Sequence, residues 1–126
     1  NEYLPHNYER NCVVYSGTHD NETLLGYFDS LPEKGYTYLQ DYTGVKKREE
    51  LADAVIRLAY QSVADTVILQ MQDILKKDND ARMNLPSTIG QNWRWRLKKE
   101  EFGEKQIARG TRHLPFLAKL ADIYHR

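Results

Sequence analysis

Apolar residues are spread unevenly along the chain. Positions 1–11 carry Pro5, scattered Asn and no apolar period, and predict a loop. Cys12-Val13-Val14-Tyr15 is a short unbroken apolar run that stops at Ser16-Gly17. Such a run suits a strand covered on both faces, as in a parallel sheet, better than a half-solvated one. A polar cluster follows, Thr18-His19-Asp20-Asn21-Glu22-Thr23, in which Asp20 or Asn21 is placed to cap a short helix. Leu24, Leu25, Tyr27 and Phe28 suggest that helix, and Pro32 and Gly35 close it.

Tyr36 to Lys47 show weak periodicity and predict a connection. Leu51, Ala54, Val55, Leu58, Ala59 and Ser62 then form one small or apolar helical stripe, with Arg48, Glu49, Glu50, Asp53 and Arg57 off it. Thr66-Val67-Ile68-Leu69-Gln70-Met71 is a second β-rich run, again too continuous for a half-solvated strand. Two such runs flanking a strong helix predict a βαβ crossover and parallel pairing. Asp73 to Leu75 suggest one helical turn, and Lys76 to Gln91 are polar and turn-rich. Trp93 to Leu97 alternate at period two over a short stretch. From Lys98 the pattern is helical, with Leu114, Leu117, Ala118, Ala121 and Tyr124 on one face. No internal repeat or low-complexity tract is visible.

Composition narrows the classes. The 126 residues suffice for one modest domain, and 18 basic against 18 acidic side chains leave no net charge to gather phosphates. One cysteine, Cys12, excludes an internal disulfide framework and a cysteine-based zinc site. No apolar run approaches the ~18 residues of a membrane span, and no basic-then-apolar leader opens the chain. The expectation is a soluble, cytoplasmic piece, all the more because the chain begins at Asn1 without methionine. Two strands alone would leave unpaired edges, which implies neighbouring strands in further sequence.

The chemistry has few places to sit. Thr18-His19-Asp20-Asn21 lies just past a buried-type strand, where α/β folds carry their catalytic loops. An Asp beside a His there can orient a substrate hydroxyl, stabilise positive charge or bind metal; it can equally do no more than cap a helix. His6, His19, His113 and His125 include no pair at helical ligand spacing, so metal binding gains little support. Ser16 is not in a nucleophile-elbow pattern, Cys12 lies within an apolar run, and no glycine-rich phosphate motif occurs. Trp93 to Lys99 interleave indoles with Arg and Lys. They could stack on bases or sugar rings, or pack at a core edge with the arginines paired to acidic neighbours.

Val13-Val14-Tyr15-Ser16-Gly17-Thr18-His19-Asp20-Asn21-Glu22-Thr23 closely resembles the late active-site motif of the 4-α-glucanotransferases (amylomaltase, or disproportionating enzyme) of glycoside hydrolase family 77. Two further blocks agree in family order: Tyr3-Leu4-Pro5-His6-Asn7-Tyr8, and Ala81-Arg82-Met83-Asn84-Leu85-Pro86 followed by Asn92-Trp93-Arg94-Trp95-Arg96-Leu97. Glu22 stands where the family commonly has Asp. Ser87 stands where it usually has Gly, a residue that takes positive φ at little cost.

The resemblance implies an α/β fold, the C-terminal portion of a (β/α)8 barrel with its last two strands and their helices, helix-rich as a fragment. Residues 1–126 would all belong to that catalytic barrel, with no separate second domain. It implies retaining transfer of α-1,4-glucan segments to the 4-hydroxyl of an acceptor sugar, without metal or organic cofactor. Retention needs a nucleophile and an acid–base carboxyl about 5–5.5 Å apart. In the family both come from earlier strands, which this sequence lacks. Asp20 matches the transition-state-stabilising Asp, His19 the neighbouring sugar-binding His, and Asn84 and Pro86 a loop bordering the acceptor. The partners implied are α-1,4-glucans, maltooligosaccharides and the rest of the barrel, with no nucleic acid and no membrane. The chain alone should be inactive. Two rival readings are a stand-alone domain binding carbohydrate or single-stranded nucleic acid through Trp93–Lys99, and a non-catalytic partner of a chain that supplies the other strands.

Overall fold

A computed structural model describes residues 1–101 and 114–126. In it β1 (Val13–Tyr15) and β2 (Thr66–Ile68) pair in parallel, as the two apolar runs predict. Val13 lies opposite Thr66, Val14 opposite Val67 and Tyr15 opposite Ile68. The connection between them holds α1 (Leu24–Ser30), α2 (Glu33–Thr43) and α3 (Leu51–Gln61). Beyond β2 come a short α4 (Met71–Ile74) and, after a long irregular stretch, α5 (Leu114–Tyr124).

β2 is shorter than the run Thr66–Met71 predicts. The Gln70 N–H leaves the ladder for the Ser16 hydroxyl oxygen at 3.1 Å, and Met71 already opens α4. Expected cover on both faces is found on one. Val14 packs with Ala59 and Ala64 beneath α3, with Val67 beside them. The alternate face, carrying Val13, Tyr15 and Ile68, is open among the described residues, at 45%, 50% and 45% exposure.

The core lies between helices. Leu24 and Phe28 of α1, Leu51, Ala52 and Ile56 of α3, and Leu120 of α5 form one buried cluster. In α3 the buried face is rotated from the expected stripe: Leu51, Ala52, Ile56 and Ala59 are buried, whereas Ala54 and Leu58 are only half-buried. The reason is that α3 serves two partners. Ile56 faces the helical cluster and Ala59 the sheet. In α5 the face centres on Leu120, flanked by Phe116, Leu117 and Tyr124, while Ala118 is exposed. The part of the predicted C-terminal helix before Leu114, with His113, lies outside the described residues.

Three local expectations are overturned. Residues 36–47 are not mainly connection, since α2 occupies Glu33–Thr43 and ends on Gly44, whose φ of 75° and N–H bond to the Gln40 carbonyl close the helix. Pro32 precedes the first turn rather than breaking it, and α2 has no fully buried residue, only Tyr36 and Leu39 resting half-buried on the core, so its apolar period is weak. The cap of α1 is Thr23, whose hydroxyl accepts the Gly26 N–H at 3.1 Å. Neither Asp20 nor Asn21 caps it. Trp93 to Leu97 form no strand, and Trp93 has a φ of 64°.

Candidate active site

The loop from Ser16 to Thr23 leaves the carboxyl end of β1 and returns into α1. Its base is gripped by one buried carboxylate. Asp73, 2% exposed in α4, accepts the Ser16 hydroxyl on Oδ2 at 2.6 Å and the Leu24 N–H on Oδ1 at 2.8 Å. Burial pushes the Asp73 carboxyl above its ordinary 3.8, and the bonds from Ser16 and Leu24 offset part of that rise. Within the loop, Asn21 Oδ1 accepts the Thr18 N–H at 2.7 Å and the Thr18 hydroxyl at 2.9 Å. Asn21 therefore builds the turn that presents His19 and Asp20. Behind it, Glu22 Oε1 accepts from Asn79 Nδ2 at 2.7 Å, and Asn79 Oδ1 accepts the Thr23 N–H at 3.3 Å. The longer Glu side chain thus reaches the helical turn Asn79–Ala81.

The tip of the loop meets a second segment, residues 82–93. Asn84 Nδ2 donates to Asp20 Oδ1 at 2.6 Å, and the Asn84 N–H donates to the His19 carbonyl at 3.0 Å. Arg82 Nη2 donates to the Asp20 carbonyl at 2.7 Å and Arg82 Nε to the Asn84 carbonyl at 3.0 Å. His19 Nε2 lies 3.3 Å from Asp20 Oδ1, with both side chains about half exposed. The Trp93 ring lies against the His19 ring, centroids 5.0 Å apart and tilted by 40°. The Trp93 N–H donates to the Met83 carbonyl at 2.7 Å, which locks its unusual backbone in place.

Of the residues singled out by sequence, His19, Asp20 and Asn84 are brought together. Pro86 is not. It sits exposed in the following turn, which Asn92 staples through bonds to Leu85 and Thr88. Arg82 and Asp73 carry no functional expectation from the sequence, and Trp93 carries one only as part of the Trp93–Lys99 stacking strip, not as a neighbour of His19. Arg82 and Trp93 lie inside the quoted motif blocks, and only the fold brings Asp73 to Ser16 across 57 positions. Among the described residues the arginines near the tryptophans pair with no acidic neighbour: Arg94 meets Gln91, and Arg96 bonds the carbonyls of Trp93 and Trp95.

An open cavity of about 780 Å³ adjoins Asp20 and Arg82, with Tyr15, Ser16 and Tyr27 on its wall. A larger one, about 910 Å³, lies at the opposite end of β2 around Asp65 and Arg126 and away from the His–Asp loop. The smaller is the better candidate, because conserving sheet geometry places loop chemistry at strand carboxyl ends. Among the described residues no three His, Cys, Asp or Glu side chains are grouped to hold a metal ion.

The sequence model of glycoside hydrolase family 77, described as 4-alpha-glucanotransferase, matches residues 1–101. The chain belongs to glycoside hydrolase family 77. Among family 77 relatives, the 4-alpha-glucanotransferase of Clostridium butyricum is 48% identical over 105 residues, covering 81% of this chain and 21% of that protein. That of Aquifex aeolicus is 40% identical over 126 residues, 99% of this chain and 24% of its own length. A solved amylomaltase from Streptococcus agalactiae, in complex with acarbose, superposes with a TM-score of 0.84 at 39% identity, covering 99% of this chain and 24% of that one. The chain thus spans a quarter or less of these relatives.

Proposed function

We propose that this chain supplies the late His–Asp loop of a 4-α-glucanotransferase, a retaining enzyme that moves α-1,4-glucan segments between maltooligosaccharides. The observation that carries the reading is the held Asp20 carboxylate. Asn84 occupies its Oδ1, and among the described residues Oδ2 accepts no hydrogen bond. A carboxylate fixed on one oxygen and free on the other suits accepting a sugar hydroxyl whose bond tightens as the ring flattens toward an oxocarbenium ion. His19 would bind the same sugar, its ring oriented by Trp93.

The nucleophile and acid–base carboxyls would come from strands outside this chain. The open face of β1 and β2 suits the interior of a closed (β/α)8 barrel, in which all of residues 1–126 would belong to one catalytic domain. Asn84 is primarily a partner of Asp20 in this reading, and the turn at Pro86 borders the acceptor side. A cytoplasmic site of action is part of the proposal, to be checked by cell fractionation. The alternative binding strip, Trp93–Lys99, has weaker support, because Arg96 is already engaged by backbone carbonyls.

The test is to express the chain together with its upstream coding sequence and incubate it with maltotriose. Glucose release with longer maltooligosaccharides is expected from the longer protein and not from the 126 residues alone. Hydrolysis without transfer, or no activity in the longer protein, would overturn the reading.

A further inference from the structure

The bonds at the loop tip close a ring. Asp20 Oδ1 is held by the Asn84 side chain, the Asn84 carbonyl by Arg82 Nε, and the Asp20 carbonyl by Arg82 Nη2. One guanidinium therefore bridges the backbones of the two residues whose side chains bond each other. A carboxylate held only by Asn84 could still swing with its own main chain; fixing that main chain from the same side removes the freedom. The ion pairs of the described residues do not include Arg82 with Asp20. The cation thus acts on Asp20 through its carbonyl, while the carboxylate charge is left for substrate. Half-buried Arg82 also lines the cavity beside Asp20, so its fork reaches the site without filling it.

We infer that Arg82 is a positioning residue for the reaction, setting the aim of the Asp20 carboxylate by clamping the main chains of Asp20 and Asn84. The inference rests on the proposed role of Asp20. It requires geometry that a planar, forked donor provides and a single ammonium does not. Loss of the fork should let the carboxylate wander by a fraction of an ångström to about 1 Å, a displacement that can cost about 100-fold in rate. Binding of the remaining sugar residues should change little.

The experiment is a double-mutant cycle in the full-length enzyme, with maltotriose as substrate, combining Arg82→Met with Asp20→Asn. Arg82→Met is expected to lower kcat by about 10- to 100-fold with KM within about threefold. In the Asp20→Asn background the same change should have almost no further effect, and Arg82→Lys should recover only part of kcat. A merely structural arginine would instead lower Tm and active fraction and multiply its loss onto Asp20→Asn. Multiplying losses, or full recovery by Arg82→Lys, would overturn the positioning role while leaving the glucanotransferase reading intact. An inactive parent enzyme would overturn that reading, and this inference with it.

Discussion

Asp73 shows how much a single buried side chain settles. Its carboxylate holds both ends of the loop that bears His19 and Asp20, at the cost of leaving water. Because its folded pKa is raised, the folded state binds the proton more readily than the unfolded state, whose value is near 3.8. The burial penalty is fully present above the folded pKa and is relieved as pH falls through it toward 3.8. Carboxyl titration by NMR should therefore find Asp73 above 3.8 and, in Ser16→Ala, higher still, since the Ser16 bond favours the charged form. A value below 3.8, or one indifferent to Ser16→Ala, would contradict the network. Ser87 makes a different point. Its φ of 64° is left-handed, which a serine adopts at a cost. Relief of that strain outweighs the added unfolded-state freedom of glycine, so Ser87→Gly should gain roughly 0.5 kcal/mol in denaturant unfolding. Ser87→Val should lose stability, because a branched Cβ tolerates that region least.

At the level of elements, the sequence was most legible where burial and period coincide. The runs Cys12–Tyr15 and Thr66–Met71, of which the second overshoots its strand, and the helices around Leu51 and Leu117 follow from local pattern alone. Helix α2 is not legible in the sequence, because it has no fully buried residue, only Tyr36 and Leu39 packed half-buried against the core, and it owes its end to Gly44. The capping residue was misread for a related reason: Asp20 and Asn21 are good capping types, yet Asp20 is bonded to Asn84 and Asn21 to Thr18, leaving Thr23 to cap. The His–Asp pair was found by motif, whereas Arg82 and Asp73 act through contacts that no local pattern encodes. Packing between α1 and the Asn79 turn offers a check. A Cβ on Gly26 would lie 2.3 Å from the Asn79 side chain, which is itself fixed by Glu22 and Thr23. Gly26→Ala should thus cost about 1–3 kcal/mol through overpacking, more than the ~1 kcal/mol that alanine returns in helix propensity. A stabilised Gly26→Ala protein, read by its denaturant midpoint, would show that Asn79 is not held.

For the whole molecule, the open side of the two-stranded sheet is the dominant physical fact. Val13, Tyr15 and Ile68 stand about half exposed on one face among the described residues. Among the described residues the strand edges also have no partners beyond each other. Such surfaces favour association with further strands or aggregation. The isolated 126 residues should accordingly show broad, weakly cooperative unfolding and bind a hydrophobic dye. A sharp two-state transition would contradict the barrel-fragment account. Within the longer protein the same faces would be covered, and the held carboxylate of Asp20 would look onto a closed substrate groove.

The most direct test of the central claim is the kcat of Asp20→Asn in the full-length enzyme, measured with maltotriose against the unaltered protein. The substitution keeps the side chain's size at a half-exposed position, so Tm should hardly move. A transition-state role predicts that kcat falls by about 10³-fold or more while KM changes only slightly. A kcat within about tenfold of the unaltered enzyme, or a loss confined to KM, would contradict it.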